Sequence, residues 1–404
     1  MHKWSLKVAK WRLQAGQSTA SAGQNESRYI PFFTAWGTST TEAQVQRKFY
    51  TAYTVSALRA NVTAIAGTGT VAFRDDGVSS SNQSLSVTTT GWQEDVTGTD
   101  TTAADSLCNW VIIGGGSHGN SISVNYVLMT YEHASINSPL VGGSDTATQS
   151  TDLFYAVTNG DGDGAEAAAK TRLFRSVAAS SLRAYLTTAS ASGLTVAIGK
   201  NGVSSTNVSV TPSSTGAIED TTGTESFASG DDANLRAIRT ANSWVIAALQ
   251  AQLDTEAGIM GAHSETGYGA TTREYEHFGG IASNSTTADD NRTVRSGAIT
   301  VANWQCYLST NGSGTRDATV RVVSTDSTNL TISLTATGHY EDVTGSESVG
   351  DTDHLGWSLA AGTTIVIRQV ALEAPWVATA AAFEPRGRPY GNVGAQQMAQ
   401  LIVQ

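Results

Sequence analysis

Three adjacent carboxylate pairs are the first candidates for chemistry in this chain: Glu94/Asp95, Glu219/Asp220 and Glu341/Asp342. Glycoside hydrolysis uses two carboxylates that flank one bond at a set separation. Neighbouring residues on a strand point to opposite faces, so each pair makes a poor catalytic dyad. In a Thr- and Gly-rich setting, a short carboxylate instead accepts backbone N–H bonds. The reading is therefore structural. Gly91, Glu94 and Asp95 form a turn that recurs as Gly216, Glu219 and Asp220, and again as Gly338, Glu341 and Asp342.

A second acidic cluster, Asn159-Gly160-Asp161-Gly162-Asp163-Gly164, resembles the start of a calcium loop. With Asn159 at position 1, Asp161, Asp163 and Gly164 fit positions 3, 5 and 6. Position 12 is Lys170, where a bidentate Glu is required, so a plain turn is expected. The histidines (His2, His118, His133, His263, His277, His339 and His354) form no His-x-x-x-His pair. No nucleophile elbow, phosphate loop or dinucleotide fingerprint stands between a strand and a helix. Cys108 and Cys306 are too few for a disulfide framework and read as small buried hydrophobes. The expectation is a protein that is not an enzyme, with no metal and no cofactor.

What positions these residues is a repeat. Thr90-Gly91-Trp92-Gln93-Glu94-Asp95-Val96-Thr97-Gly98 recurs from Thr215 and from Thr337, with spacings of 125 and 122 residues between Gly91, Gly216 and Gly338. Asn82, Asn207 and Asn329 stand nine residues before the three glycines, and Leu85, Val210 and Ile332 six before. Gly77 and Gly202 stand fourteen before; the third copy has Ser324 there. A unit of this length is the size of an independent domain, not of a solenoid repeat. The division expected is a basic arm at 1–27, units at 28–135, 152–280 and 292–376, and a second arm at 377–404. Residues 136–151 and 283–291 read as linkers, and the Gly-rich insertion at 256–270 as a surface loop.

Within each unit apolar residues alternate with polar ones, as in Leu58/Ala60/Val62, Leu182/Ala184/Leu186 and Trp304/Cys306/Leu308. Period two means strands with one face buried. Asp75-Asp76-Gly77 and Lys200-Asn201-Gly202 are hairpin signals. A short helix is conceivable only at 165–176. Short strands at regular spacing give an all-β chain of three tandem antiparallel β-sandwich or jelly-roll domains with extended arms.

The phrase Gly-x-x-Glu-Asp-Val/Thr-Thr-Gly-Thr/Ser, followed by Ala104-Asp105, Gly230-Asp231 or Gly350-Asp351, resembles a pattern of tailed-bacteriophage virion proteins. Those proteins carry jelly-roll domains of the C1q/tumour-necrosis-factor type. The resemblance implies a capsid decoration or cement protein located in the virion. It also implies binding to the major capsid protein or other virion proteins, and self-association, with a trimer as one form. The alternative is a head or tail fibre that binds a receptor or glycan. Trp92 and Tyr340, at one repeat position that holds Ile218 in the second unit, are the aromatic candidates for that.

Composition narrows the partners. The chain of 404 residues has a net charge of −11, with 15% charged and 40% hydrophobic residues. An acidic surface disfavours nucleic acid. No apolar run of about 20 residues could cross a membrane as a helix, and the N-terminal residues lack the apolar core of a secretory signal. Lys3, Trp4, Lys7, Trp11 and Arg12 make the N-terminal arm basic and sticky, suited either to pairing as an ordinary strand of the first unit or to strand addition on a partner. Arg386, Arg388, Tyr390, Leu401 and Ile402 are the corresponding partner-binding residues of the C-terminal arm.

Overall fold

The structure, a computed structural model, describes residues 20–32, 38–132, 140–143, 151–160, 162–188, 193–241, 243–254, 257–269, 273–276, 278, 294–295, 299–312, 314–350, 353–362 and 365–375. The first unit begins with β1 (Ala20–Ala22), β2 (Ser27–Ile30) and β3 (Arg47–Phe49). Its long strands are β4 (Thr54–Ala66), β5 (Gly69–Asp75), β6 (Val78–Val87), β7 (Gly91–Thr101), β8 (Ser106–Gly114) and β9 (Ser121–Glu132). After β10 (Leu140–Gly143) come β11 (Leu153–Ala156), β12 (Asn159–Gly160), the short helix α1 (Glu166–Ala169) and β13 (Thr171–Arg172). The second unit continues with β14 (Val177–Thr188), β15 (Leu194–Lys200), β16 (Val203–Val210), β17 (Gly216–Phe227), β18 (Asp232–Arg239) and β19 (Val245–Asp254). Then follow β20 (Ala257–Gly269), β21 (Glu274–Glu276) and β22 (Val294–Arg295). The third unit ends with β23 (Ile299–Thr310), β24 (Arg316–Val322), β25 (Thr325–Leu334), β26 (Gly338–Val349), β27 (His354–Leu359) and β28 (Val366–Pro375).

The chain is all-β and antiparallel within each unit. In the first, the sheet β1-β9-β4-β7 packs against β2-β8-β5-β6, with β3 also on β8. The same order recurs as β19-β14-β17 against β11-β18-β15-β16, and as β28-β23-β26 against β21-β27-β24-β25. Register is equivalent too: Leu58 stands opposite Asp95, Leu182 opposite Asp220 and Trp304 opposite Asp342. Each pair of sheets encloses its own core. Leu58, Ala60, Val62, Val71 and Phe73 are buried in the first. Leu182, Ala184, Leu186, Val196 and Ile198 fill the second, and Trp304, Cys306, Leu308, Ala318 and Val320 the third. The alternating residues are thus the inward face of each sandwich, and hydrophobic burial holds it closed. Cys108 and Cys306 lie in these cores, where burial pushes both thiols up.

Two segments that read as connections are strands. β10, within the expected linker at 136–151, pairs with β19 over Leu140–Gly143. β20, within the expected surface loop at 256–270, pairs with β28 from Ala257 to Gly269. With β12 between them they join the second and third units into one nine-stranded sheet, β17-β14-β19-β10-β12-β20-β28-β23-β26. After its last strand, each of the first two units thus hands the chain to the sheet edge of the next. The end of the expected N-terminal arm belongs to a sheet as well, since Ala20–Ala22 pair with Val124–Ile122.

The hairpin after β24 forms without glycine. Asp76 and Gly77 have φ of 46° and 81°, and Asn201 and Gly202 have 50° and 84°. Val323 and Ser324 take the same left-handed pair, 47° and 63°. Gly has no Cβ to clash there and Asn and Asp are helped by their short polar side chains, whereas Val and Ser are strained. Ser324→Gly is therefore expected to stabilise the third unit by about 1 kcal/mol, the strain relief being partly offset by unfolded-state entropy. Urea unfolding checks this; a loss of stability would mean that Ser324 carries an interaction that outweighs its backbone strain.

Candidate functional site

The recurring motif lies inside strands β7, β17 and β26 and not at a free turn. Its glycines Gly91, Gly216 and Gly338 open these strands with φ of 95°, 104° and 139°. Four residues on, the Asp holds a bulge. Asp95 Oδ1 accepts from the Thr97 N–H at 3.1 Å and the Gly98 N–H at 3.2 Å. Asp220 accepts from Thr222 and Gly223 at 3.0 and 3.2 Å, and Asp342 from Thr344 and Gly345 at 3.2 and 3.3 Å. The facing strands slip register at the same level, beside Ala57, Ser181 and Asn303 with φ of 55°, 54° and 54°. The second glycine of the motif is a close approach. A Cβ on Gly98, Gly223 or Gly345 would stand 1.9, 1.6 or 1.7 Å from the carbonyl oxygen of Asn82, Asn207 or Asn329.

Burial raises the Asp220 carboxyl, but N–H bonds from Thr222, Ser209 and Gly223 outweigh it and hold the pKa below the usual carboxylate range. A depressed folded-state pKa adds stability that is present above the unfolded value of about 3.9 and lost as pH falls through the folded value. Asp220→Asn should cost about 1 kcal/mol at pH 7, a figure already reduced for solvent screening. The gap to the natural protein should close as the pH drops below about 3.9. Unfolding midpoints across pH 2–7 test this; a gap independent of pH would assign the loss to geometry and not charge.

The Glu of each pair turns to the opposite face, onto the sheet's outer surface. There Glu94 stands opposite Arg59, Glu219 opposite Arg183 and Glu341 opposite Gln305. Arg183 Nε donates to Glu219 at 3.1 Å, while Arg59 Nε is 3.8 Å from Glu94. On the second and third units the preceding unit docks against this face. Lys48 of β3 places its ammonium 2.8 Å from Glu219 and 3.3 Å from Asp105. Burial works against that ammonium, but the two carboxylates prevail and raise its pKa. Arg172 of β13 places Nε 3.3 Å from Glu341.

An amide clamp accompanies each ion pair. Gln250 accepts the Lys48 N–H at 2.9 Å and donates to the Lys48 carbonyl at 2.8 Å. Gln305 does the same to Arg172, at 3.0 Å in both directions. Lys48 stands opposite Leu107 on β8 and Arg172 opposite Asp232 on β18, which are equivalent positions of the two units. The two junctions therefore share the donor position and the receiving Glu, while the clamping glutamine stands on β19 in the first and on β23 in the second. At the first, Arg183 also donates to the Gln46 carbonyl at 3.1 Å. At the second, Arg368 reaches Asp163 at 2.9 Å, Gln369 donates to Thr171 Oγ1 at 2.6 Å, and His339 Nε2 lies 2.9 Å from the Ala167 carbonyl. Burial lowers the His339 pKa, against the pull of that carbonyl. Asp163, from the calcium-like cluster, is thus bound to an arginine of the next unit; Asp161 lies outside the described residues.

The first junction also contains a buried cation. Arg47 is 0% exposed and its guanidinium makes no hydrogen bond. Burial, and then the charge of Arg183, pull its pKa down to about 9. Thr171 and Val294 hold the equivalent positions of the other units, so this charge is particular to the first junction. Tyr50, under the Lys48 ammonium, has its hydroxyl pKa raised, chiefly by burial and also by Glu219.

The remaining candidates are packed or tied down. Trp92 stacks on Tyr126 with ring centroids 6.4 Å apart, and Ile218 packs against the second core. The Tyr340 hydroxyl accepts from the Ala336 N–H at 2.6 Å and donates to the Ala336 carbonyl at 2.7 Å. Tyr340 also lines an open depression of about 410 Å³ with Thr331, Ser333 and Glu341. Among the described residues no three His, Cys, Asp or Glu side chains converge as metal ligands, and no helix is long and apolar enough to cross a membrane. The arm residues Lys3, Trp4, Lys7, Trp11 and Arg12, and Arg386, Arg388, Tyr390, Leu401 and Ile402, lie outside the described residues. Sequence reasoning missed Lys48, Arg172, Gln250 and Gln305. Only the basic residue at one repeat position was available as a signal.

No family model matches the chain, and no curated protein matches it. Among solved structures it is similar to a Paenibacillus xanthan lyase at 13% identity, over 67% of this chain and 30% of that one, with a TM-score of 0.17. A structure of Sulfolobus Turreted Icosahedral Virus matches at 10% identity over 88% and 92% of the two chains, with a TM-score of 0.17. One of infectious bursal disease virus, Gx strain, matches at 8% identity over 91% and 82%, with a TM-score of 0.16. The chain spans under a third of the lyase. At such scores these superpositions define no common fold, so function is argued from the chain's own residues.

Proposed function

We propose that this chain is a non-enzymatic structural protein of a virus particle, whose three β-sandwich units decorate or cement a capsid. The observation that supports this is the use made of its recurring acidic motif. In every unit the Asp is spent on backbone N–H groups, and in the second and third units the Glu is spent on the neighbouring unit. The chain's most repeated polar chemistry is thus cohesive. The resemblance of the motif to bacteriophage virion proteins supplies the setting: a location in the virion, with the major capsid protein as partner. Under this reading the basic arm, with Lys3, Lys7 and Arg12, grips the capsid.

Deleting residues 1–14 should abolish binding of the purified chain to expanded heads. Undiminished binding by the truncated chain would refute the role of the arm. The depression beside Tyr340 favours a second reading, a fibre that binds a glycan. Specific retention on a glycan array, lost in Tyr340→Ala, would favour that reading over the first.

A further inference from the structure

Arg47 is an electrostatic anomaly. It is 0% exposed, and none of its three guanidinium nitrogens makes a hydrogen bond. Buried charges are ordinarily paired, because an unpaired one loses its hydration and gains nothing in return. Titration offers no escape: with a pKa of about 9, the guanidinium is still protonated at pH 7. Nor does the fold demand a cation here. Arg47 stands opposite Cys108, and the same register position holds Thr171 opposite Ala233 in the second unit and Val294 opposite Leu355 in the third.

The charges around it are already matched among themselves. Glu219 takes Lys48 at 2.8 Å and Arg183 at 3.1 Å, and Asp105 takes Lys48 at 3.3 Å, so two cations meet two carboxylates. Glu42 is paired with Arg74. Asp75 stands beyond Cys108 in the row that crosses β3, β8 and β5, and it accepts from the Cys108 thiol at 3.6 Å. Among the described residues, the one charge that acts on Arg47 strongly enough to move its pKa is Arg183, which has the same sign. Arg183 also reaches the peptide that leads into Arg47, since its Nη1 donates to the Gln46 carbonyl at 3.1 Å. One positive charge is thus left over beside the first junction, buried and with its donors unspent.

We infer that Arg47 binds a small monovalent anion, a halide, which its guanidinium holds by hydrogen bonds under the positive potential of Arg183. The charge count selects a monovalent ion. A sulfate or phosphate dianion would leave a negative charge in excess and would cost more to dehydrate. The complete burial of the guanidinium selects a compact ion over an organic carboxylate. Thr171 gives the second junction no such site. The first junction therefore tightens with the halide content of the medium and the second does not. This inference does not rest on the capsid reading, since it concerns only how the first unit is held.

Replacing gluconate by chloride at constant ionic strength tests it in the full chain, with hydrogen exchange of the β3 and β8 amides as the readout. Exchange should slow as chloride rises, by up to about tenfold for each tenfold increase above the dissociation constant, as mass action requires. Arg47→Thr, which carries the residue of the second unit, should lose this dependence. Arg47→Lys, which keeps the charge, should retain part of it. Urea unfolding at fixed chloride verifies the fold of each variant. Bromide diffused into crystals of the natural chain should give an anomalous peak at hydrogen-bond distance from the Arg47 guanidinium. Exchange indifferent to chloride, a dependence unchanged in Arg47→Thr, or bromide bound only elsewhere overturns the inference.

Discussion

Gly223→Ala is expected to destabilise the second unit by about 3 kcal/mol or more, the cost of forcing atoms into a space that cannot relax. The added Cβ would stand 1.6 Å from the Asn207 carbonyl oxygen, and the obstacle is backbone and not a flexible side chain. Both strands are pinned: Asp220 holds the Gly223 N–H on one side and the Ser209 N–H on the other. The lowest thermal transition should fall by roughly 6–12 °C, at 2–4 °C per kcal/mol for a domain of this size. Gly216→Ala supplies the contrast. Gly216 has φ of 104° but nothing within 4 Å of its missing Cβ. Only backbone strain is added there, about 1–2 kcal/mol. Equal effects of the two substitutions would contradict the close approach between β16 and β17.

Lys48→Glu is expected to cost about 2–4 kcal/mol, because it sets a third carboxylate beside Glu219 and Asp105 and abandons the pair. Glu219→Lys should cost at least as much, since it sets a second cation beside Arg183. Combining the two restores an opposite-charge contact across the junction. A double-mutant cycle should therefore give a favourable coupling of about 1–3 kcal/mol. The same cycle with Lys48 and Glu94 should give about zero, because additivity holds for sites that share no partners. Urea unfolding provides these values. Additive effects of Lys48→Glu and Glu219→Lys would mean that the ion pair does not form.

The sandwich units were legible in the sequence because their signal is local. Leu182/Ala184/Leu186 and its counterparts alternate within one strand, and the Asn-Gly and Asp-Gly hairpins announce themselves in adjacent residues. The role of the Glu was not legible. Lys48 and Glu219 lie 171 residues apart, and the basic partner sits on a strand of three residues, too short for any periodicity to show. The motif read as a turn because Thr, Gly and Asp are turn formers. It lies in long strands because a bulge, capped by the Asp, uses the same residues. β10 and β20 read as connections for a related reason. Leu140–Gly143 and Ala257–Gly269 are rich in glycine, and a sheet edge borrowed from the next unit asks little of the sequence that fills it.

The claim on which the rest depends is that the Glu of the repeat joins one unit to the next. Carbodiimide couples an amine directly to a carboxylate that touches it, with no spacer, so cross-linking followed by peptide mass spectrometry reads the junction itself. The expected product joins Lys48 to Glu219, and in Arg172→Lys a second product joins position 172 to Glu341. Lys48 linked instead to Glu94 or Glu341 of the same chain, or both glutamates left unlinked at the junctions, would contradict it.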